Sequence, residues 1–407
     1  MEDFIRQIFR KWTGISLVLR IFIGLVIGTA LGLTVPEWNG IGLLGIVFVS
    51  ALKAIAPVLV AVLVASSIAQ AGEGLGARFR TVIVLYMTTT LLAAMVAVVG
   101  SDLFPVTLQL SGTAEGSPVG SLADVFENLL TNMVANPVQA VVSANYIGIL
   151  FWAIVFGMGL KFAASQQTIL IVQDLARMVS VAVRWIIQMA PFGILGLVFS
   201  AVSQSGLDVF TVYGRLILLL VGCMLIHVLV LCPLVAFLML RRNPYPLLFT
   251  CLRVSGLQAF FTRSSAANIP VNMSLCKHLS IDEDFYSVSI PLGATVNMNG
   301  AAITITVMTL AVAHTMGVEV SYASALLLCV VAALGACGTS GVAGGSLLLI
   351  PMACSLFGIA NDVAMQAVAV GFIIGVVQDS METALNSSSD VFFTAIADYY
   401  DMQKIEK

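Results

Sequence analysis

Charged residues are scarce in this sequence. Asp, Glu, Lys and Arg make up 10% of its 407 residues and 59% are hydrophobic, whereas soluble domains carry about 25% charged residues. The formal net charge is only −3 and no basic stripe is present, so nothing indicates a nucleic-acid partner. Apolar stretches of about 20 residues recur along almost the whole length, which predicts an all-α polytopic membrane protein rather than a barrel of short strands.

Metal-binding, disulfide and catalytic patterns are also missing. The seven cysteines lie in or near apolar segments without CxxC spacing, and the three histidines are scattered. We therefore expect reduced, buried thiols and no His-based metal centre. No Ser–His–Asp set, HExxH motif or Cys/His pair accompanies the acidic residues, so the sequence predicts neither an enzyme nor a bound cofactor.

The apolar pattern predicts ten segments. They lie at about 15–35, 41–71, 81–104, 140–165, 177–204, 211–240, 245–275, 284–315, 321–355 and 360–395. Two of them, 245–275 and 321–355, are interrupted by TRSSAANIP and GTSGVAGGS, in which Pro270 and the glycines are expected to break the helices. Because broken backbone at membrane depth must be buried in protein or line water, we predict two re-entrant hairpins and eight transmembrane helices. Ordinary spans with closely packed Gly/Ser faces are the alternative.

The distribution of Lys and Arg predicts the orientation. Arg6, Arg10 and Lys11 precede the first span, whereas residues 81–160 contain neither Lys nor Arg. By the positive-inside rule the N-terminus is cytoplasmic, and the C-terminus is cytoplasmic too if the two hairpins do not cross. The hairpins then enter from opposite sides, which is typical of transporters built from inverted repeats.

The last apolar segment carries three carboxylates. Asp379, Thr383, Asn386 and Asp390 share one helix face, and Glu382 lies at its edge. Since a charge at the bilayer centre costs about 3 kcal/mol on insertion scales, this face is expected to look into protein or a wet cavity.

A turn signal, Asn297-Met298-Asn299-Gly300, interrupts another apolar segment. An unwound turn there would expose backbone carbonyls, and these together with the Asp390 carboxylate would suit a cation such as Na⁺. The Thr88-Thr89-Thr90 cluster in the third span is a candidate to face the same region, although hydroxyls bonded to their own helix are the commoner arrangement.

Four features follow one another along the chain: TRSSAANIP, NMNG, GTSGVAGG and the acidic final helix. With these in order, the chain resembles the dicarboxylate/amino acid:cation symporter family, the glutamate-transporter fold, over nearly its full length. The resemblance implies a homotrimer in the bacterial inner membrane, with a scaffold and a mobile transport domain that moves as an elevator. It assigns 1–14 to a cytoplasmic segment, 15–71 and 105–205 mainly to the scaffold, 72–104 and 206–395 mainly to the transport domain, and 396–407 to a cytoplasmic tail.

The resemblance also implies a substrate site. Asp379 would bind the ammonium group of an amino acid, Asn386 and Ser265 its carboxylate, and backbone around Val342 would close over it. The full expected set is Arg263, Ser264, Ser265, Val342, Asp379, Glu382, Thr383 and Asn386.

Sodium, the coupling ion, is expected at two places by the same resemblance. One ion would lie on the Asp390 carboxylate and on the carbonyls of Gly293, Asn297 and Asn386. Carbonyls near Thr295 and Thr339 would hold another when the outer hairpin closes.

Two departures from the family pattern matter for specificity and coupling. Glu382 stands where members that carry acidic substrates have Arg, and a carboxylate there would repel a second one. Arg263 is expected to balance Glu382, or Asp379 in the empty site. Asn299 stands where many members have Asp, which with hydroxyls matching Thr89 and Thr90 forms a further sodium site, so fewer coupled sodium ions are expected.

These features together predict a sodium-coupled symporter that imports small neutral hydroxyl amino acids, serine and threonine. A proton- or sodium-coupled symporter of acidic amino acids or dicarboxylates stays open as the alternative, because a desolvated carboxyl group such as Glu382 can carry a proton. An ion channel is a further alternative, although the polar groups converge from one chain rather than forming a symmetric ring.

Overall fold

The computed structural model describes residues 14–70, 77–110, 130–339 and 344–405. All regular secondary structure in these ranges is helical, as an apolar chain in a bilayer requires when it does not close a barrel. Residues 1–13, with the basic N-terminal positions, and residues 111–129 lie outside the described residues.

Within the described residues of the first half, seven α-helices can be delimited at both ends. They are α1 (Leu17–Thr34), α2 (Gly42–Gln70), α3 (Ala77–Leu103), α4 (Pro137–Val142), α5 (Tyr146–Ala163), α6 (Gln166–Gln188) and α7 (Ala190–Ser205). The predicted span at 140–165 is divided, because Ala144 adopts a left-handed conformation between α4 and α5. The predicted span at 177–204 begins earlier and is divided at Met189, just before Pro191.

Close backbone contact joins α1 to α7. A side chain at Gly24 would meet the Pro191 carbonyl at 2.2 Å, and one at Gly28 would meet the Leu195 carbonyl at 2.5 Å. Glycine at every fourth residue therefore lets the two helices approach to backbone distance, as in small-xxx-small contacts of membrane helices.

The described residues of the second half contain ten α-helices, most of them short, although the last has 45 residues. They are α8 (Val209–Ile226), α9 (Cys232–Leu240), α10 (Tyr245–Cys251), α11 (Leu257–Thr262), α12 (Ser265–His278), α13 (Glu283–Val296), α14 (Asn299–Thr315), α15 (Tyr322–Ala336), α16 (Ile350–Ser355) and α17 (Asn361–Ile405). One-turn π-helices join α8 to α9 and α10 to α11, and a 3₁₀ turn, Ser346–Leu349, precedes α16.

Three interruptions predicted from the sequence are present. The chain turns at Arg263 and Ser264 between α11 and α12, unwinds at Asn297 and Met298, and leaves helical structure after α15. Pro270 does not break its helix, which was a wrong expectation: it lies inside α12, where it removes only one backbone hydrogen bond. The final helix also runs ten residues beyond the predicted end at 395, to Ile405.

Burial separates the helices into an inner and an outer group. Seven stretches in the described residues are long and apolar enough to cross a membrane. In the most apolar 18 residues of each stretch, 94% of the residues are buried for α13–α14 and 83% for α17, compared with 28–50% for the other five stretches. The protein is therefore a multi-pass membrane protein in which the acidic last helix lies in the interior.

Candidate functional site

The substrate residues expected from the sequence lie around one cavity beside the middle of α17. The cavity is lined by Arg263, Ser264, Ser265, Met298, Thr339, Asp379, Glu382, Thr383 and Asn386. These include every predicted substrate residue except Val342, which lies outside the described residues. The cavity measures about 20 Å³, enough for about one water molecule, so the site is contracted and an amino acid requires it to open.

Asp379 is held by the tips on both sides of the cavity. Arg263 donates from Nε to Asp379 Oδ2 at 2.6 Å, and the Gly344 backbone N–H donates to Oδ1 at 3.1 Å. Arg263 ends α11 in a left-handed conformation, with φ at 52°, which turns its side chain toward α17. Of the two partners foreseen for Arg263, the structure has Asp379, and the pairing with Glu382 stays a prediction.

Glu382 is satisfied by neutral donors. Thr304 and Ser346 donate their hydroxyls to Glu382 Oε2 at 2.7 and 2.8 Å, and the Gln378 amide donates to the same oxygen. We did not predict these three residues. Gln378 lies one helical turn before Glu382 and was detectable from that spacing, whereas Thr304 and Ser346 belong to other elements.

Residues 344–346, which follow the interruption after α15, are therefore hydrogen-bonded to α17 at two points. Gly344 bonds Asp379 and Ser346 bonds Glu382. Thr383 does not contribute to this, because its hydroxyl donates to the Asp379 carbonyl at 2.7 Å. Movement of this segment away from the cavity must break both hydrogen bonds, so the two carboxylates link the substrate site to its cover.

Asp390 is fully buried on the same helix face. Its Oδ1 accepts a hydrogen bond from Asn297 Nδ2 at 2.9 Å, while Oδ2 has no hydrogen-bond partner among the described residues. A side chain at Gly293 would lie 2.8 Å from Asp390 Oδ1, so only glycine lets α13 come this close. A buried carboxylate oxygen without a donor, beside the end of a broken helix, is a donor set that fits a hard cation such as Na⁺.

Asn386 connects the cavity at Asp379 and Glu382 with the region around Asp390. Its carbonyl accepts a hydrogen bond from Asn297 at 3.3 Å, and its side-chain Oδ1 accepts from the Gly300 N–H at 2.7 Å. The structure therefore brings together Gly293, Asn297, Asn386 and Asp390, four of the predicted sodium residues.

The remaining predicted sodium residues are less closely grouped. Thr339 lines the small cavity and donates its hydroxyl to the Ala336 carbonyl at 2.8 Å. Thr295 instead borders a separate cavity of about 480 Å³ between α2, α6 and α13. The carbonyl after it, that of Val296, lies 3.6 Å from Cys337 Sγ, so backbone near Thr295 does approach the second interrupted region.

Asn299 belongs to a third group of polar side chains, after the cavity at Asp379 and Glu382 and the surroundings of Asp390. Its Nδ2 donates to Asn297 Oδ1 and to Ser389 Oγ, both at 3.2 Å, and its Oδ1 accepts from Thr90 at 2.9 Å. The neutral NH₂ group thus lies among oxygens that would otherwise be free to bind a cation.

Comparison with known proteins places this geometry in a family. Residues 17–400 match the model of the sodium:dicarboxylate symporter family. A protein of Bifidobacterium adolescentis named serine/threonine transporter SstT is 59% identical over 397 residues, covering 97% of this chain and 92% of the relative. Proteins of the same name from Streptococcus thermophilus and Streptococcus agalactiae are each 54% identical, and each match covers 97% of this chain and 98% of the relative. The chain belongs to the sodium:dicarboxylate symporter family and is a transporter, not an enzyme.

Proposed function

We propose that this chain is a sodium-coupled symporter that carries serine and threonine into a bacterial cell across the inner membrane. The relatives that are 54–59% identical are named for these two amino acids. The observation that carries the substrate class is the charge of the cavity, in which two buried carboxylates, Asp379 and Glu382, face one guanidinium, Arg263.

A site with one excess negative charge favours a zwitterion over an anion. The ammonium group of serine takes the place of Arg263 on Asp379, and the guanidinium is then free for the substrate carboxylate or for Glu382. Serine adds its own carboxylate to Asp379 and Glu382, whereas a glutamate or aspartate substrate would also bring a side-chain carboxylate, the fourth in the same low-dielectric space, where like charges repel strongly. The hydroxyls of Thr304 and Ser346 beside Glu382 provide a polar environment for a substrate hydroxyl.

Sodium binds, in this proposal, on Asp390 with carbonyls of Gly293, Asn297 and Asn386. The unsatisfied Oδ2 of Asp390 supports this site. Asn386 lies in both the sodium region and the substrate cavity, so an ion there fixes the backbone one helical turn from the amino acid. A further ion near Thr339 requires the second interrupted region to close. The Asn299 amide replaces the cation of a third site.

The proposed architecture has eight transmembrane helices and two re-entrant hairpins. The stretch Ala190–Leu240 has 51 residues, roughly 75 Å of helix, and supports two crossings with the turn at Gly206 between them. The hairpins are α10–α12 and α15–α16. The scaffold is α1, α2 and α4–α7, and the transport domain contains α3 and α8–α17. Trimeric assembly through the scaffold completes the proposal.

The position of the cavity supports an elevator movement. Arg263, Gly344 and Asp379 border a narrow space shared with Leu17 and Ile21, in the first turns of α1. With the N-terminus cytoplasmic, these turns lie at the cytoplasmic end of α1. The site thus lies at the inner side of the proposed scaffold, as expected when the transport domain has moved inward.

Uptake of radiolabelled serine into proteoliposomes tests the proposal. We expect accumulation with an inward sodium gradient, competition by threonine and no competition by glutamate. Uptake driven by a proton gradient in the absence of sodium would overturn the sodium site at Asp390 and favour proton coupling. Uptake of glutamate but not serine would overturn the charge argument based on Glu382.

A further inference from the structure

An apolar groove of about 800 Å³ lies between α3 and α8, apart from the cavity at α17. Its walls include Leu92, Val96 and Leu103 on α3 and Leu218, Gly222 and Ile226 on α8. Leu103, Leu218 and Ile226 are more than half exposed, so the mouth of the groove opens on an apolar surface. In a membrane protein such a surface faces lipid chains, and a groove in it admits a chain from the bilayer rather than a solute from water.

One charged side chain borders this groove. Arg215 is exposed on α8, and no carboxylate of the described residues lies within ion-pair distance of it. Arg78, Arg177 and Arg263, in contrast, all pair with Asp. The guanidinium of Arg215 is therefore free to bind an anion, and its planar donors match the oxygens of a phosphate group.

The spacing along α8 matches a lipid leaflet. Arg215 lies six residues after the start of the helix at Val209, and Ile226 lies eleven residues further along. At 1.5 Å per residue, the groove extends roughly 16 Å from Arg215 toward Ile226, about half of the 30 Å hydrocarbon core. A cationic side chain thus lies at headgroup depth, and an apolar channel one acyl chain long leads from it toward the bilayer centre.

We propose that this groove is a binding site for an anionic phospholipid. The phosphate lies on Arg215 and one acyl chain lies between α3 and α8, reaching past Gly222. The Gly222 position supports this, because a Cβ built there meets no atom within 4 Å, so the space beside it is open to the chain.

Native mass spectrometry of the purified protein, titrated with phosphatidylglycerol or phosphatidylcholine, tests the site. We expect one tightly retained phosphatidylglycerol per chain and several-fold weaker retention of phosphatidylcholine. Arg215→Gln should weaken phosphatidylglycerol binding about tenfold and remove the preference for it. Gly222→Leu should weaken both lipids by filling the groove while leaving the charge in place.

The matched control is Arg184→Gln, which removes an exposed arginine on α6, away from the groove. Equal losses in Arg184→Gln and Arg215→Gln would show only general attraction of lipid to surface charge and would overturn the proposal. Displacement of the bound species by millimolar inorganic phosphate would also overturn it, since a lipid held by its chain is not released by phosphate. A change of oligomeric state in Gly222→Leu would assign the groove to a second copy of the chain instead.

Discussion

Two carboxylates one helical turn apart, Asp379 and Glu382, are satisfied in different ways. Asp379 accepts from a guanidinium and a backbone N–H, whereas Glu382 accepts from two hydroxyls and an amide. A cationic ligand competes with Arg263 for Asp379 without disturbing the neutral donors around Glu382. Under the proposed function we therefore expect the ammonium group of a substrate to bind at Asp379 and Glu382 to act on the substrate side chain.

Replacing Asp379 with Asn tests the ammonium site. A hydrogen bond to a charged group contributes about 1.5–3 kcal/mol, and 1.4 kcal/mol is a tenfold change, so serine affinity should fall about 10- to 150-fold. The measurement is sodium-dependent binding of radiolabelled serine to purified protein. The double variant Arg263→Gln/Asp379→Asn is the folding control, because it removes the buried unpaired guanidinium as well. Unchanged serine affinity in folded Asp379→Asn protein would contradict the assignment.

The Asn299 amide leads to a prediction about coupling. Asn299→Asp replaces the donor that now bonds Asn297 Oδ1 and Ser389 Oγ with a second acceptor, so a cation is required among these oxygens. We expect the serine uptake rate to depend more steeply on sodium concentration, with a higher Hill coefficient. Asn299→Ser, which removes the amide without adding charge, should not steepen the dependence. If Asn299→Asp and the parent protein showed the same sodium dependence, the hypothesis that the Asn299 amide takes the place of a sodium ion would be refuted.

At the scale of elements, the interrupted helices were predictable because their signals are local. Asn297-Met298-Asn299-Gly300 is a turn sequence wherever it occurs, and the unwound residues lie within it. Pro270 misled the prediction because a proline inside a helix removes one hydrogen bond and strains the helix without always ending it. Two of the three partners of Glu382 were not predictable, since Thr304 and Ser346 are 78 and 36 residues away and only the packing of α14 and the second interrupted region against α17 brings them there.

An ion-pair cluster ties three helices together at their ends. Arg78, at the start of α3, pairs with Asp398 at 3.0 Å and with Asp282 and Asp401 at 3.2 Å. Asp398 and Asp401 lie near the end of α17, and Asp282 caps α13. The Asp398 side chain is 2% exposed, so the cluster contains one buried carboxylate that depends on Arg78.

Arg78→Gln should lower stability by leaving the Asp398 carboxylate without a cation. Losing one partner of a buried ion pair costs about 3–5 kcal/mol, and the loss here should be smaller because Arg78 is 32% exposed and water screens the pair. The measurement is the apparent melting temperature in detergent, compared with Arg80→Gln, which alters an exposed arginine in the same turn. Asp398→Asn should restore part of the stability of Arg78→Gln, and a melting temperature equal to that of Arg80→Gln would contradict this role.

At the scale of the whole molecule, α2 is the helix of the proposed scaffold that contacts the proposed transport domain at several points. Phe48 stacks edge-on against Phe372 at 5.2 Å, and Ser67 bonds the carbonyl of Cys337 at 3.5 Å. Between these contacts, Lys53 pairs with Asp362 at the start of α17. Lys53 lies eleven residues into α2, roughly 16 Å from its start, yet it meets the very beginning of α17. In the proposed elevator movement, α17 would change its position along α2 and this ion pair would break.

Joining α2 to α17 should therefore stop transport. In a Lys53→Cys/Asp362→Cys variant, a short, reducible, thiol-reactive crosslinker should lower the serine uptake rate at least tenfold, because the transport domain can no longer move along α2. Reduction of the crosslinker should restore uptake. The single variants are the matched controls, since the native cysteines are buried except for the partly buried Cys337 and react equally in all three proteins. Full uptake by crosslinked protein would mean that α2 and α17 keep their positions during transport, and the substrate would then have to reach both sides of the membrane by movement of the hairpin tips alone.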